Sequence, residues 1–112
     1  MRLITRPLDK KSLPKLQAEF GDYFKVTVDI AKEVLVAGGE LHADGEKILL
    51  EKGSRQDDIW GGGINLGNKE IDAAAVLNLR PRLKNNSLEI LDPATREKFI
   101  SVVKKIFAVL WN

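Results

Sequence analysis

Apolar and polar residues alternate over residues 24–31, which is the pattern of a β-strand with one buried face. In that strand Lys25, Thr27 and Asp29 would point outward. Val34–Ala37 follows as an unbroken apolar run, typical of a strand that is buried on both faces. The two strands are therefore predicted to form a hairpin.

A short strand and a helix precede this hairpin. Leu3 and Ile4 indicate the strand. Ser12 can cap the helix, because Pro14 is tolerated in a first turn and would break a helix that began earlier. The helix is expected to end at Gly21, since glycine readily adopts the backbone conformation that closes a helix.

A second helix is predicted after Gly38-Gly39, and Gly53 is expected to close it with a left-handed conformation. Its start has two interpretations. Either Leu41-His42 is already helical, or Asp44 caps the helix and the histidine lies in the preceding loop.

The next segments predict further strands. Residues 59–66 favour a strand that a bulge or sharp bend interrupts at Gly61–Gly63. Alternation over residues 71–80 predicts another strand, with Asn78 and Arg80 on its polar face. The turn-forming residues 84–86 would then join it to a partner strand at residues 87–91, giving an added hairpin.

The C-terminal segment predicts an amphipathic helix. Asp92 can cap it, Pro93 suits the first helical position, and the pattern continues to about Leu110. Its apolar residues cover an arc of about 200°. Because this arc is wider than one sheet face needs, the helix either packs in a groove between other elements or covers a second surface in a homo-oligomer.

The predicted order is strand, helix, strand, strand, helix, strand, followed by a hairpin and a helix. This βαββαβ order predicts an α+β fold with a ferredoxin-like antiparallel sheet, an added β-hairpin and a C-terminal amphipathic helix. In that layout the first two helices share one face of the sheet. The other face is left for the terminal helix, a partner or solvent.

Composition narrows the class of protein. The 112 residues suffice for one domain, and 18 Lys and Arg against 16 Asp and Glu leave a net charge of +2, which does not favour nucleic acid or a membrane as a partner. The absence of cysteine excludes a disulfide framework, a thiol nucleophile and a cysteine zinc site, and it favours a cytoplasmic location. No apolar run approaches the ~20 residues of a membrane span. No cofactor is predicted.

Five segments occur in the order found in a known family. They are Gly38–Asp44 (GGELHAD), Gly53-Ser54, Asp58–Gly61 (DIWG), Asn78–Pro81 (NLRP) and Asn86-Ser87. With them the chain resembles a family of short prokaryotic proteins known as a domain of unknown function, over nearly its whole length. The resemblance implies that these segments belong together, and it carries no activity.

The single histidine is the first chemical candidate. His42 has an ordinary pKa near neutrality, and Glu40 and Asp44 flank it at a spacing of two residues. The three form a candidate catalytic cluster in which a carboxylate orients the base and raises the pKa of the imidazole. The alternative interpretation is structural, with the histidine satisfying the start of the helix. We expect His42 beside a pocket, with Glu40, Asp44 or Glu46 within hydrogen-bonding reach.

A metal site has weaker support. A tetrahedral zinc site needs three or four His or Cys ligands, and the chain has one. Oxygen ligands for magnesium or calcium are present at Glu40, Asp44, Asp57 and Asp58. No dedicated metal centre is predicted.

Trp60, Asn78 and Arg80 are the candidate ligand-binding residues. The glycines after Trp60 invite a phosphate-loop interpretation, but they precede a strand where such loops precede a helix. Arg80 lies in the most basic segment of the chain and can clamp an anion. We expect a carboxylate, Glu89 or Asp29, to hold it. RNA recognition is disfavoured because the predicted outward positions carry no aromatic residue for stacking.

Three functional hypotheses follow. The leading one is a non-catalytic binding or assembly module that forms a homo-oligomer. The second is a small hydrolase or transferase acting on an anionic metabolite, with His42 as base, Glu40 or Asp44 as orienter and Arg80 as anion clamp. The third is a toxin-like ribonuclease. Whether His42 and Arg80 share one pocket separates the first two.

Overall fold

The computed structural model describes residues 1–112 and contains three α-helices and one five-stranded antiparallel sheet. The strands are β1 (Arg2–Ile4), β2 (Tyr23–Asp29), β3 (Val34–Ala37), β4 (Ile59–Asn65) and β5 (Glu70–Asp72). The helices are α1 (Ser12–Phe20), α2 (His42–Glu51) and α3 (Pro93–Ile106). Short 3₁₀ turns lie at Gln56–Asp58, Val76–Asn78, Pro81–Leu83 and Ala108–Trp111. The predicted α+β class is confirmed.

The strand order is β1-β3-β2-β4-β5, with every neighbouring pair antiparallel. A ferredoxin-like sheet would place β4 beside β1. Here β4 pairs with β2 along its full length, from Tyr23 opposite Asn65 to Asp29 opposite Ile59. The predicted βαββαβ element order is present, but the ferredoxin-like strand arrangement is not.

The position of β4 also changes where the helices lie. The crossovers β1-α1-β2 and β3-α2-β4 advance across the sheet in the same direction, although their strands run in opposite directions. Because crossovers between parallel strands are right-handed, the two helices must then lie on opposite faces. The packing agrees: Leu16 of α1 belongs to one apolar cluster and Leu49 of α2 to another. The expectation that these helices share one face is wrong.

The larger cluster lies between the sheet, α1 and α3. Phe24, Val26 and Val28 of β2 face it, as the alternating pattern predicts. The buried residues of α3 and of the turn that follows complete it; they are Phe99, Val102, Val103, Ile106 and Phe107. Most of the wide apolar arc is therefore covered within one chain.

The start of α3 agrees with the sequence prediction, and its end does not. Asp92 caps the helix by accepting a hydrogen bond from the backbone N–H of Thr95 at 2.9 Å. The α-helix ends at Ile106, four residues earlier than expected, and a 3₁₀ turn continues the chain. In that turn Trp111 is the exposed large apolar residue.

The second face of the sheet is covered by α2. Gly45 of this helix lies so close to β2 that an added Cβ would be 2.6 Å from the Thr27 hydroxyl oxygen. Thr27 and Asp29 are buried there, and the Asp29 carboxylate accepts hydrogen bonds from Ser54 Oγ and two backbone amides. The expectation that these two residues point into solvent is wrong, because a helix occupies that face.

The glycine-rich strand β4 has a regular register. Gly61, Gly62 and Gly63 pair in turn with Thr27, Val26 and Lys25, so the predicted bulge is absent. Ladder pairing requires no bend at glycine; the missing side chains instead leave room above the strand.

The predicted strand over residues 71–80 is replaced after Asp72 by irregular chain and a 3₁₀ turn. Asn78 holds this turn against β4: Gly61 N–H donates to its Oδ1 at 2.8 Å, and its Nδ2 donates to the Gly61 carbonyl at 2.9 Å. The predicted hairpin with residues 87–91 is reduced to an isolated bridge between Ala74 and Glu89.

Candidate ligand-binding site

A cavity of about 580 Å³ opens between the start of α2 and the 3₁₀ turn at Val76–Asn78. Its wall is mainly apolar and its polar groups are few. The lining residues are Tyr23, Lys25, Leu41, His42, Ala43, Ala74, Ala75, Val76, Leu77 and Leu88. A largely apolar concave surface with a few polar groups is the usual character of a small-molecule site.

His42 is the first residue of α2, so the histidine is helical, as in the earlier of the two predicted starts, whereas Leu41 is the extended N-cap residue before it. Its ring lies over β4 and its Nε2 is 2.7 Å from the carbonyl oxygen of Gly62. Because a carbonyl only accepts, Nε2 must carry the proton and Nδ1 keeps a free lone pair. Nδ1 has no protein partner and is not sealed from solvent. It is therefore available as a hydrogen-bond acceptor.

The electrostatic surroundings keep this imidazole neutral. Burial is the main influence and lowers the pKa of His42, and the nearby charge of Lys25 acts in the same direction. The hydrogen bond to Gly62 and the charge of Asp72 oppose it. The expectation that flanking acids raise the pKa is wrong.

Tyr23 contributes the second polar group. Its hydroxyl donates to Asp72 Oδ2 at 2.8 Å. Burial and then this carboxylate raise the pKa of Tyr23 to about 12, so the hydroxyl keeps its proton at neutral pH. Since that proton is engaged, the oxygen can offer only its lone pairs to a ligand.

Lys25 contributes the third polar group of the cavity. It is half-buried on β2 and has no acidic side chain within ion-pair distance. Its place in the sheet register is opposite Gly63, which in turn lies opposite Asp72. The cation and the carboxylate therefore stand on the same face with a glycine between them.

Gly61 and Gly63 of β4 lie beneath side chains that line the cavity. A Cβ at Gly61 would lie 2.8 Å from the His42 ring and 2.7 Å from the Ala75 methyl group. A Cβ at Gly63 would overlap the hydroxyl of Tyr23. Both rings can lie against the sheet because these positions have no side chain.

The predicted acidic partners of His42 are engaged elsewhere. Asp44 Oδ2 accepts from the Leu41 backbone N–H at 3.3 Å and so stabilises the start of α2. Glu46 forms an ion pair with Arg80. Glu40 is exposed and makes no side-chain hydrogen bond. His42 lies beside a cavity as expected, but the expected hydrogen bond to a carboxylate is absent.

The candidates Trp60, Asn78 and Arg80 lie outside this cavity. Asn78 is fully buried and its amide is occupied by backbone groups. The Arg80 guanidinium lies 5.1 Å from the ring centroid of Trp60 and 3.3 Å from Glu46. A carboxylate holds Arg80 as predicted, although the residue is Glu46.

The predicted partners of Arg80 lie elsewhere: Glu89 pairs with Arg96, and Asp29 bonds to Ser54. Trp60 borders a separate cavity of about 630 Å³ with Asp57 and Asp58. His42 and Arg80 therefore do not share a pocket.

Two further findings bear on the site. No group of three or more His, Cys, Asp or Glu residues is arranged to hold a metal ion, so Glu40, Asp44, Asp57 and Asp58 do not converge. None of the three α-helices combines the length and the apolar character that a bilayer-spanning segment needs.

Sequence reasoning missed Tyr23 and Lys25 as parts of the site. The alternating pattern predicts an outward face for Lys25, and the position of the helix over that face depends on the strand order. The available indication was the glycine run itself, because glycines at spacing two on a paired strand leave room for side chains of neighbouring elements.

The fold and the cavity define an α+β protein with a mainly apolar pocket at the N-terminal end of a helix. Residues 2–106 match a family described as a protein of unknown function (DUF5674), and the chain belongs to this family. No curated protein matches the chain significantly. The same is true of the solved structures.

Proposed function

We propose that the protein is a non-catalytic binding module that takes a small, largely apolar ligand into the cavity beside His42. The observation that carries this proposal is the cavity's composition: eight hydrophobic residues out of ten, with His42 and Lys25 as the other two. Burial of an apolar ligand surface against such walls is favourable at roughly 25 cal/mol per Å².

The organisation of the polar groups supports binding more than catalysis. A histidine base is normally oriented by an acid and placed near a second group that meets the substrate. The proton-bearing nitrogen of His42 is bonded to a backbone carbonyl. Arg80, the anion clamp of the enzymatic hypothesis, is held by Glu46 against Trp60. The hydrolase or transferase hypothesis therefore loses two of its three parts.

The proposal also includes a cytoplasmic location and assembly into a homo-oligomer. The support for assembly is reduced, because the α3 side chains that suggested a second surface are mostly buried within one chain. What remains is the exposed Trp111 beside the half-buried Val109 and Leu110. Light scattering should give the mass of a dimer or larger assembly, and a monomeric mass at high concentration would remove this part and leave the cavity proposal intact.

The binding proposal is tested with 1-octanol, a neutral apolar probe with one hydroxyl group. Titration into ¹⁵N-labelled protein should shift the amide signals of His42, Gly61, Gly63 and Ala75 together, because these residues surround or line the cavity. A probe that shifts no signals at saturation, or shifts them evenly over the whole surface, would contradict the proposal.

A matched pair of variants locates the binding. Ala43 is exposed at the cavity mouth, so Ala43→Phe fills the opening without disturbing the core. Ala18 is exposed on α1, across the sheet, and Ala18→Phe adds the same ring there. The shifts should be lost in the first variant and kept in the second.

A further inference from the structure

We propose that the natural ligand of this cavity is a small carboxylic acid with an apolar body, whose carboxylate pairs with the Lys25 ammonium. The proposal rests on the proposed binding function and adds the chemical class of the ligand.

The first step is the charge of Lys25. It is a half-buried cation that lines an apolar cavity and has no acidic side chain within ion-pair distance. An ammonium beside apolar walls is stabilised by an anion in contact with it. A ligand that brings an anion to this position supplies the missing partner.

The second step concerns Asp72, the acid in register with Lys25 on the same face. The row Lys25, Gly63, Asp72 crosses three strands, so the two charged residues are about two strand spacings apart, on the order of 10 Å. The Tyr23 hydroxyl lies over the glycine and donates to Asp72. Asp72 therefore already has a donor, and Lys25 is left for a ligand.

The third step excludes other classes of ligand. A cationic head group would be repelled by Lys25, and a neutral one would leave the ammonium without a counter-charge. The other polar atoms that the cavity offers, His42 Nδ1 and the Tyr23 oxygen, are both acceptors. Lys25 is thus the group that can bind an anion directly.

The apolar body of the acid has matching walls. Leu41, Val76 and Leu88 are all exposed large apolar residues, and all three line this cavity. A volume of about 580 Å³ lies within the range of small-molecule pockets. An acyl chain or a substituted ring would cover these side chains.

The test compares octanoate, 1-octanol and octylammonium by isothermal titration calorimetry. They share one chain length and differ in the charge of the head group. Octanoate should bind about tenfold more tightly than 1-octanol, the ratio for one charge-assisted contact, and octylammonium should bind most weakly.

Two lysine variants provide the control. Lys25→Met keeps the length and apolar stem of the side chain and removes the charge. Lys104→Met makes the same change at an exposed position of α3, on the other side of the sheet. The preference for octanoate should vanish in the first variant and persist in the second.

The outcomes separate this inference from the binding function. If octanoate and 1-octanol bind equally, and Ala43→Phe abolishes both, the cavity binds ligands but the carboxylate class is wrong. If no probe binds the wild-type protein, the binding function itself is wrong. If the octanoate preference survives in Lys25→Met, Lys25 is not the anion partner and the inference is overturned.

Discussion

Replacement of Asn78 by alanine should destabilise the protein strongly, because this side chain substitutes for a missing strand. Its amide bonds to Gly61 N–H and C=O, and also to the carbonyls of Leu88 at 3.0 Å and Ala73 at 3.3 Å. These bonds attach the chain after β5 to the glycine strand. That chain forms one wall of the His42 cavity.

The magnitude follows from the groups left without partners. Asn78→Ala leaves the Gly61 N–H and C=O without hydrogen-bond partners, and each buried unpaired group lowers the free energy of unfolding by about 1–3 kcal/mol. With the cavity that truncation creates, the free energy of unfolding should fall by about 4 kcal/mol. For a domain of this size that corresponds to a decrease of roughly 15 °C in Tm.

Urea unfolding followed by tryptophan fluorescence measures this loss. Asn86→Ala is the matched control, because Asn86 is exposed and makes no side-chain hydrogen bond, and its midpoint should equal that of the wild type. A loss below about 1 kcal/mol for Asn78→Ala would refute the argument that its amide holds the cavity wall to the sheet.

Three further predictions test the packing and charge of the molecule. Gly45→Ala should lower the free energy of unfolding by about 1–2 kcal/mol, because the new Cβ would lie 2.6 Å from the Thr27 hydroxyl oxygen. This loss should exceed the gain from the better helix propensity of alanine. A raised urea midpoint would contradict the close approach of α2 to the sheet. Because burial lowers the pKa of His42, the unfolded chain takes up this proton first, so stability should fall as the pH drops through about 6.5. The fall in urea midpoint between about pH 8 and about pH 5.5 should be smaller in His42→Gln, and an equal fall in both proteins would show that the imidazole does not contribute. Arg80→Met should lower the free energy of unfolding by about 2 kcal/mol, because it removes a buried ion pair and a cation–π contact. Arg82→Met, which removes an ion pair at the surface, should leave the thermal midpoint unchanged. Equal effects of the two substitutions would show that burial of the ion pair does not matter here.

The parts of the fold that the sequence predicts correctly are those set by local chemistry. Asp92 with Pro93 begins α3 as predicted. Ser12 is the first residue of α1, but the expectation that its hydroxyl caps the helix is wrong, because this hydroxyl donates to Asp9 Oδ1 at 2.8 Å. Alternation along β2 identifies Phe24, Val26 and Val28 as core residues. Each prediction depends on residues that are close in sequence, so no knowledge of the sheet is needed.

The main errors concern contacts between residues that are far apart in sequence. The same alternation placed Thr27 and Asp29 in solvent, and only the position of β4 puts α2 over them. The segment after Asp72 alternates like a strand, yet the Asn78 side chain replaces the backbone ladder there. Local pattern contains no information about which strand lies next to which.

At the candidate site, too, the local helix start is predicted from the sequence, whereas the groups around the imidazole are not. The helix start at His42 was one of two predicted possibilities, and its cavity was expected. Asp44 bonds to the Leu41 backbone, Glu46 pairs with Arg80, and Glu40 makes no side-chain hydrogen bond, so none of the three acids reaches the imidazole. Proximity along the chain was therefore a poor guide to which groups surround the imidazole.

The ¹⁵N signals of the His42 imidazole report directly on ligand binding in the cavity, since His42 is the only histidine in the chain. In the free protein at neutral pH they should show a protonated Nε2 and an unprotonated Nδ1. Saturating 1-octanol should shift the Nδ1 signal and leave the proton on Nε2, because His42 lines the cavity that receives the ligand and its Nε2 stays bonded to Gly62. A proton on Nδ1, or ring signals that do not move at saturation, would contradict the account of the site.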